Sequence, residues 1–120
     1  MHELAVTEQM LDVVLRHAEE AGASRVKRIE LVLGDMTSFV NESIQFCFEA
    51  MSAGTLAEGA ELSFRRVPVR ICCRECRHTF EPVDLDWRCP ECNAYAGTVV
   101  AGREFYVDHI EIDTERDEET

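Results

Sequence analysis

The stretch Arg70-Ile71-Cys72-Cys73-Arg74-Glu75-Cys76-Arg77-His78, answered by Arg88-Cys89-Pro90-Glu91-Cys92-Asn93-Ala94-Tyr95-Ala96, decides how the rest of the chain is read. It carries two Cys-x-x-Cys pairs, Cys73/Cys76 and Cys89/Cys92, separated by residues 77–88. A two-residue gap lets both thiolates of a pair point at one ion from a tight turn, and two such turns facing each other complete a tetrahedron. The segment between Arg70 and Ala96 also needs an ion to fold. Its sizeable apolar groups are Ile71, Phe80, Val83, Leu85, Trp87 and Tyr95, too few to offset the entropy of ordering the loop. Metal binding supplies the missing folding free energy.

Three cysteines, Cys72, Cys73 and Cys76, compete for two of the four positions. Only Cys73 makes a two-residue gap with Cys76, which leaves Cys72 as a neighbouring free thiol. His78 is a spare donor, read either as exposed, as a partner to a thiolate sulfur, or as an alternative ligand. Four thiolates leave no open coordination position, so the site is structural, not catalytic. The same ligands would hold a single iron; with nothing else in the chain suited to redox work, zinc is the better reading. A thioredoxin-like role fits less well, because it needs one pair at a helix N-terminus rather than two matching turns.

Outward from this stretch, the periodicity predicts an α+β fold: a small three-stranded sheet with two helices, plus the inserted four-cysteine zinc-ribbon-like lobe. Leu4 to Ala21 reads as an amphipathic helix with Leu4, Leu11, Val14, Ala18 and Ala21 on its stripe and Gly22 as its stop. His17 in that helix reads as a surface or boundary residue. Arg25 to Leu33 alternates as a strand, closed by Gly34-Asp35. Asn41 is the expected N-cap of a second helix whose stripe is Ile44, Cys47, Phe48 and Met51, with Cys47 an inert packed thiol. Ala60 to Val69 is a second strand. Glu104 to Asp113 is a third, with Tyr106, Ile110 and Ile112 on one face and Phe105 and Val107 on the other. Strand, helix and strand suggest a βαβ unit. The expected organisation is a discontinuous domain of residues 1–69 and 97–113, a lobe at 70–96 and an acidic flexible tail at 114–120.

The net charge of −12 comes from 24 acids against 12 Lys plus Arg, and residues 103–120 hold eight of those acids with two arginines. Such a surface repels phosphate backbones and argues against nucleic acid as a partner. The run Arg65, Arg66, Arg70, Arg74, Arg77 reads as solvated strand and loop arginines. No run of eighteen apolar residues could span a membrane, and Met-His-Glu-Leu has neither the basic nor the apolar region of a signal peptide. The reading is cytoplasmic, where paired cysteines are metal ligands more often than disulfides.

The remaining chemistry is at Met1-His2-Glu3. A histidine at position two can combine its imidazole with a free α-amine and backbone amides, an all-nitrogen square-planar field suited to Ni(II) or Cu(II).

Taken in order, Met1-His2-Glu3-Leu4, Leu33-Gly34-Asp35, Glu42-Ser43-Ile44-Gln45-Phe46-Cys47-Phe48-Glu49, Gly54-Thr55-Leu56-Ala57-Glu58-Gly59-Ala60, the two Cys-x-x-Cys pairs and Ile110-Glu111-Ile112 resemble the HypA/HybF family of hydrogenase-maturation nickel metallochaperones over essentially the whole chain. The resemblance implies a non-enzymatic chaperone that carries Ni(II) to the large subunit of [NiFe]-hydrogenase, and a site on a chain terminus is expected to hold that ion labile. It implies a HypB-type GTPase as co-worker and leaves room for urease maturation proteins as further partners. It also implies nickel at Met1, His2 and Glu3 and structural Zn(II) at Cys73, Cys76, Cys89 and Cys92. Where the family often has glycine after each cysteine pair, this chain has Arg77 and Asn93, and an arginine there is the less comfortable of the two. The competing reading is a zinc-ribbon adaptor or nucleic-acid-binding module with no nickel role.

Overall fold

The computed structural model describes residues 2–84 and 86–114. Its elements are α1 (His2–Glu20), β1 (Ala23–Gly34), α2 (Asn41–Ser52), β2 (Glu61–Val67), β3 (Arg70–Cys73), β4 (Thr79–Phe80), β5 (Gly97–Ala101) and β6 (Phe105–Thr114). They form two three-stranded sheets, β2-β1-β6 and β4-β3-β5, and no helix among the described residues is long and apolar enough to cross a membrane. The architecture is the expected α+β fold with a ribbon-like lobe. The chain divides into two compact units, one of Met1–Val32, Phe39–Arg65 and Tyr106–Thr120, the other of Leu33–Ser38 and Arg66–Phe105.

In the first unit, α1 buries Thr7, Met10, Leu11, Val14 and Ala18, the three-and-four spacing of one helical face. Two expected stripe positions fall outside it. Leu4 is 49% exposed and Ala21 is exposed, while Thr7 takes the buried place one turn in from the start. The Thr7 hydroxyl donates to the Glu3 carbonyl, so burying it costs no hydrogen bond. The helix ends as Gly22 turns into the left-handed region at φ 70°, with its N–H on the Glu19 carbonyl.

Helix α2 buries Ile44, Phe48 and Ser52 at successive turns, and Cys47 beside them is half-buried. Its N-cap is Val40, in extended conformation with no side-chain cap; the Asn41 expected there is already the first helical residue. A valine gives up the cap bond that Asn would make, and the carbonyl of Val40 instead receives the N–H groups of Ser43 and Ile44.

Strand β1 is central. Arg28, midway along it, reaches Ser63 and the Asp35 N–H beyond its end reaches the Val67 carbonyl, so β1 and β2 run parallel around α2, the expected βαβ unit. The Ser24 hydroxyl donates to the Asp113 carbonyl and the Gly34 N–H to the Glu104 carbonyl, so β6 runs antiparallel on the other side. The expected faces of β6 need correction. Phe105, Val107, Ile110 and Ile112 are all partly buried, Tyr106 is 45% exposed, and the neighbours Asp108 and His109 are both exposed. Alternation slips by one residue at 108–109, as one extra residue in an edge strand produces. Thr114 ends β6, and the acidic tail at 115–120 lies outside the described residues.

In the second unit, β3 is the middle strand. Ile71 pairs with Phe80 on one side and with Val99 on the other, both antiparallel. The pairing of β5 with β3 carries the lobe sheet as far as Ala101. Chain crossing is close at Gly34, where a Cβ would sit 2.0 Å from the backbone carbonyl of Gly102.

Candidate metal centre

The two cysteine pairs sit in turns with the same backbone. In the first, the Arg77 N–H donates to the Cys73 carbonyl at 2.8 Å and the Cys73 N–H to the His78 carbonyl at 2.8 Å. In the second, the Asn93 N–H donates to the Cys89 carbonyl at 2.8 Å and the Cys89 N–H to the Ala94 carbonyl at 3.0 Å. The residue after each pair is left-handed, Arg77 at φ 68° and Asn93 at φ 64°. Arginine thus adopts the conformation that glycine or asparagine would take more easily.

This repeated turn brings the four sulfurs together. Cys73 and Cys92 approach to 3.6 Å, Cys76 and Cys89 to 3.5 Å, and all four Sγ atoms lie within 4.8 Å of one another. A tetrahedron with metal–sulfur bonds of about 2.3 Å has edges of about 3.8 Å, so the donor set and its spacing fit a four-thiolate ion such as zinc. The first cysteine of each turn is buried and the second exposed. Ile71, Cys73, Phe80 and Cys89 form the core of the lobe, with Val69, Trp87, Ala94 and Val99 packed on it.

The sulfurs are electrostatically unequal. The Cys76 N–H, then that of Glu75, point at the Cys73 sulfur and lower its pKa to about 7 against the cost of burial. At Cys76 the His78 N–H favours the thiolate, but desolvation and the neighbouring sulfurs outweigh it and push the thiol up to about 12. Cys92 is also raised: the Ala94 N–H opposes the shift, and the Cys73 sulfur and burial produce it. A bound cation reverses this, since every ligand must be a thiolate.

Cys72 lies outside the cluster, its sulfur 3.8 Å from the Arg77 carbonyl and 3.9 Å from that of Cys73. His78 is half-buried and stacked on Phe80, with ring centroids 6.2 Å apart and planes 10° from parallel. Of the other predicted residues, Met1 and the His2 side chain lie outside the described residues. The backbone of His2 opens α1, and Glu3 follows within its first turn. The Glu3 carboxyl is held below its usual range chiefly by its own N–H, against desolvation, with the Val40 N–H adding to the lowering. The sequence reading did not foresee the contributions of Val69, Ala94 and Val99 to the lobe core, which no local spacing signals.

A family model described as "Hydrogenase/urease nickel incorporation, metallochaperone, hypA" matches residues 1–112. The chain belongs to the HypA family. Hydrogenase maturation factor HypA of Dehalococcoides mccartyi (strain CBDB1) is 44% identical over 115 residues, covering 96% of this chain and 97% of that protein. The HypA of Geobacter sulfurreducens is 39% identical over 113 residues, covering 94% of this chain and all of the relative. Among solved structures, a solution structure of a HypA protein superposes with a TM-score of 0.73 at 23% identity, covering 93% of this chain and 96% of that one. The nickel metallochaperone HypA of Helicobacter pylori superposes at 0.66 with 21% identity, covering 93% and 97%. These two likenesses speak to the fold. Membership in the HypA family makes this a protein of the nickel-incorporation metallochaperones.

Proposed function

We propose that this protein is a non-enzymatic chaperone that holds Ni(II) at Met1, His2 and Glu3 and delivers it to the large subunit of [NiFe]-hydrogenase during maturation. A HypB-type GTPase is its partner in delivery, and urease maturation proteins are a second class of recipient. The work is cytoplasmic. Zn(II) is held permanently by Cys73, Cys76, Cys89 and Cys92, and residues 70–96 serve as a rigid recognition lobe on the domain formed by residues 1–69 and 97–113.

The observation that carries this reading is the match to a nickel-incorporation family along residues 1–112. Local chemistry supports the location. α1 begins at His2, and the first N–H groups of a helix have no intrahelical acceptor. Amides there can turn to a metal without breaking a helical hydrogen bond, and together with imidazole and α-amine they make the nitrogen-rich field that suits Ni(II). For the cysteines, the support is the closed four-sulfur set, which leaves no position for a substrate or a departing ion.

Nickel titration of zinc-loaded protein tests the reading. Wild type takes up about one equivalent with high affinity, and His2→Ala or an extension before Met1 abolishes that high-affinity uptake. Full affinity in both variants would remove the terminal site. The adaptor reading predicts one zinc and no high-affinity nickel uptake in any of the three proteins.

A further inference from the structure

A second group of metal-binding side chains lies in the helical unit. The C-terminal half of α1 and the slipped segment of β6 enclose a cavity of about 300 Å³ lined by Val13, Val14, His17, Val107, Asp108, His109 and Ile110. Its walls are apolar, and its polar groups are two imidazoles and one carboxylate. Each ring has a carboxylate on its Nδ1 side, hydrogen-bonded at His109 and at ion-pair distance at His17. The Nδ1 of His109 donates to Asp108 at 2.9 Å, and the Nδ1 of His17 faces Glu20 at 3.8 Å. At His109 the hydrogen-bonded carboxylate fixes the tautomer that leaves the lone pair on Nε2 and makes that nitrogen a stronger donor, the arrangement usual behind metal-ligating histidines. Neither Nε2 has a hydrogen-bond partner among the described residues.

We propose that His17 and His109, backed by Glu20 and Asp108, form a second site for a divalent transition-metal ion, with water completing the coordination. The slip in β6 matters here, because strict alternation would send Asp108 and His109 to opposite faces, whereas both line the cavity. Two imidazoles select the Ni(II), Cu(II) and Zn(II) class over Mg(II) or Ca(II). Among the described residues the four cysteines are the sole group with three or more ligand atoms in mutual reach, so this site offers two protein nitrogens and binds more weakly than a full ligand set. It is also separate from the N-terminus. His17 lies fifteen residues along α1 from His2, a rise of about 22 Å, so the two cannot share an ion.

Ni(II) is the probe, added to full-length, zinc-loaded protein carrying both His2→Ala and an N-terminal extension, so that the terminal site is gone. Octahedral Ni(II) is paramagnetic, and imidazole proton signals of His17 and His109 are expected to broaden together while those of His78 persist. His17→Ala or His109→Ala should each weaken this uptake at least tenfold, and Asp108→Ala by about tenfold through loss of the Nδ1 acceptor. Both histidines are more than half exposed, so the variants keep the fold. Broadening of one ring alone, or unchanged uptake in both alanine variants, would overturn the shared site. Because the terminal site is already disabled, either result leaves the nickel reading at Met1 to Glu3 untouched.

Discussion

The two units of this molecule are held together by different chemistry. The helical unit buries Met10, Leu11, Val14, Val26, Ile29, Leu31, Ile44, Phe48 and Leu62, a core of large side chains from both helices and the sheet. The lobe buries Ile71 and Phe80, and the other two members of its core are cysteines. Each large apolar side chain contributes roughly 1.5–3 kcal/mol on burial, while ordering each residue costs roughly 1–2 kcal/mol. The helical unit has the apolar side chains to meet that cost. The lobe does not, and under the proposed zinc assignment metal–sulfur bonds make up the difference. One region is therefore sensitive to lost carbon and the other to lost metal.

Metal removal tests that contrast with the largest effect. Structural zinc sites contribute about 10–16 kcal/mol of apparent binding free energy at neutral pH. Chelation, or Cys89→Ser, should collapse the amide signals of residues 70–96 to unfolded positions in a two-dimensional NMR spectrum while those of α1, β1 and α2 keep their dispersion. Loss of both sets together would mean that the units fold as one. The reciprocal experiment is Phe48→Ala, a fully buried position in the helical unit. It should cost about 3–5 kcal/mol of unfolding free energy and leave zinc content at one equivalent per chain. A fall in zinc content would break the division.

The part of this division that rests on local chemistry was readable from residues alone. Cys73, Cys76, Cys89 and Cys92 announce themselves because each pair closes within one turn, and Cys72 fails the same spacing. Gly22 and Gly54 stop the helices where a left-handed residue is needed, at φ 70° and 79°. Features decided at long range were not readable. Nothing in Gly97 to Ala101 says that it pairs with Arg70 to Cys73. The slip at Asp108 and His109 hides in an otherwise alternating strand, so alternation alone puts the wrong residues of β6 on one face. Thr7 replaces Leu4 in the core because its hydroxyl finds the Glu3 carbonyl, a compensation that hydrophobicity does not register. At Met1 to Glu3 the residue types suggested a nitrogen site, but three residues carry no periodicity and the family resemblance gave that suggestion its weight.

A smaller effect is expected at Gly34, where neither carbon core nor metal is touched. A Cβ there would lie 2.0 Å from the Gly102 carbonyl carbon and oxygen and 2.5 Å from the Arg103 nitrogen, all backbone atoms that no rotamer change can move. Gly34→Ala should destabilise by about 3 kcal/mol, the upper end of overpacking costs. At Gly54 a Cβ would meet nothing within 4 Å but the backbone is left-handed, so Gly54→Ala should cost about 1–2 kcal/mol. Equal losses in thermal melts of the two variants would mean that the crossing relaxes.

The smallest effect separates the two turns of the metal centre from each other. Their hydrogen bonds match and their left-handed residues differ by 4° in φ, yet one is Arg77 and the other Asn93. Left-handed backbone costs a residue such as arginine about 1–2 kcal/mol, and asparagine less. Glycine removes that strain but returns part of the gain, about 0.5–1 kcal/mol, as greater freedom of the unfolded chain. Arg77→Gly should therefore stabilise the lobe by up to about 1 kcal/mol, a two- to fivefold gain in zinc affinity by chelator competition, and Asn93→Gly should change little. If Arg77→Gly weakens zinc binding instead, the exposed guanidinium contributes beyond the backbone turn, and the two knuckles are equivalent in hydrogen bonding but not in how they hold charge around the sulfurs.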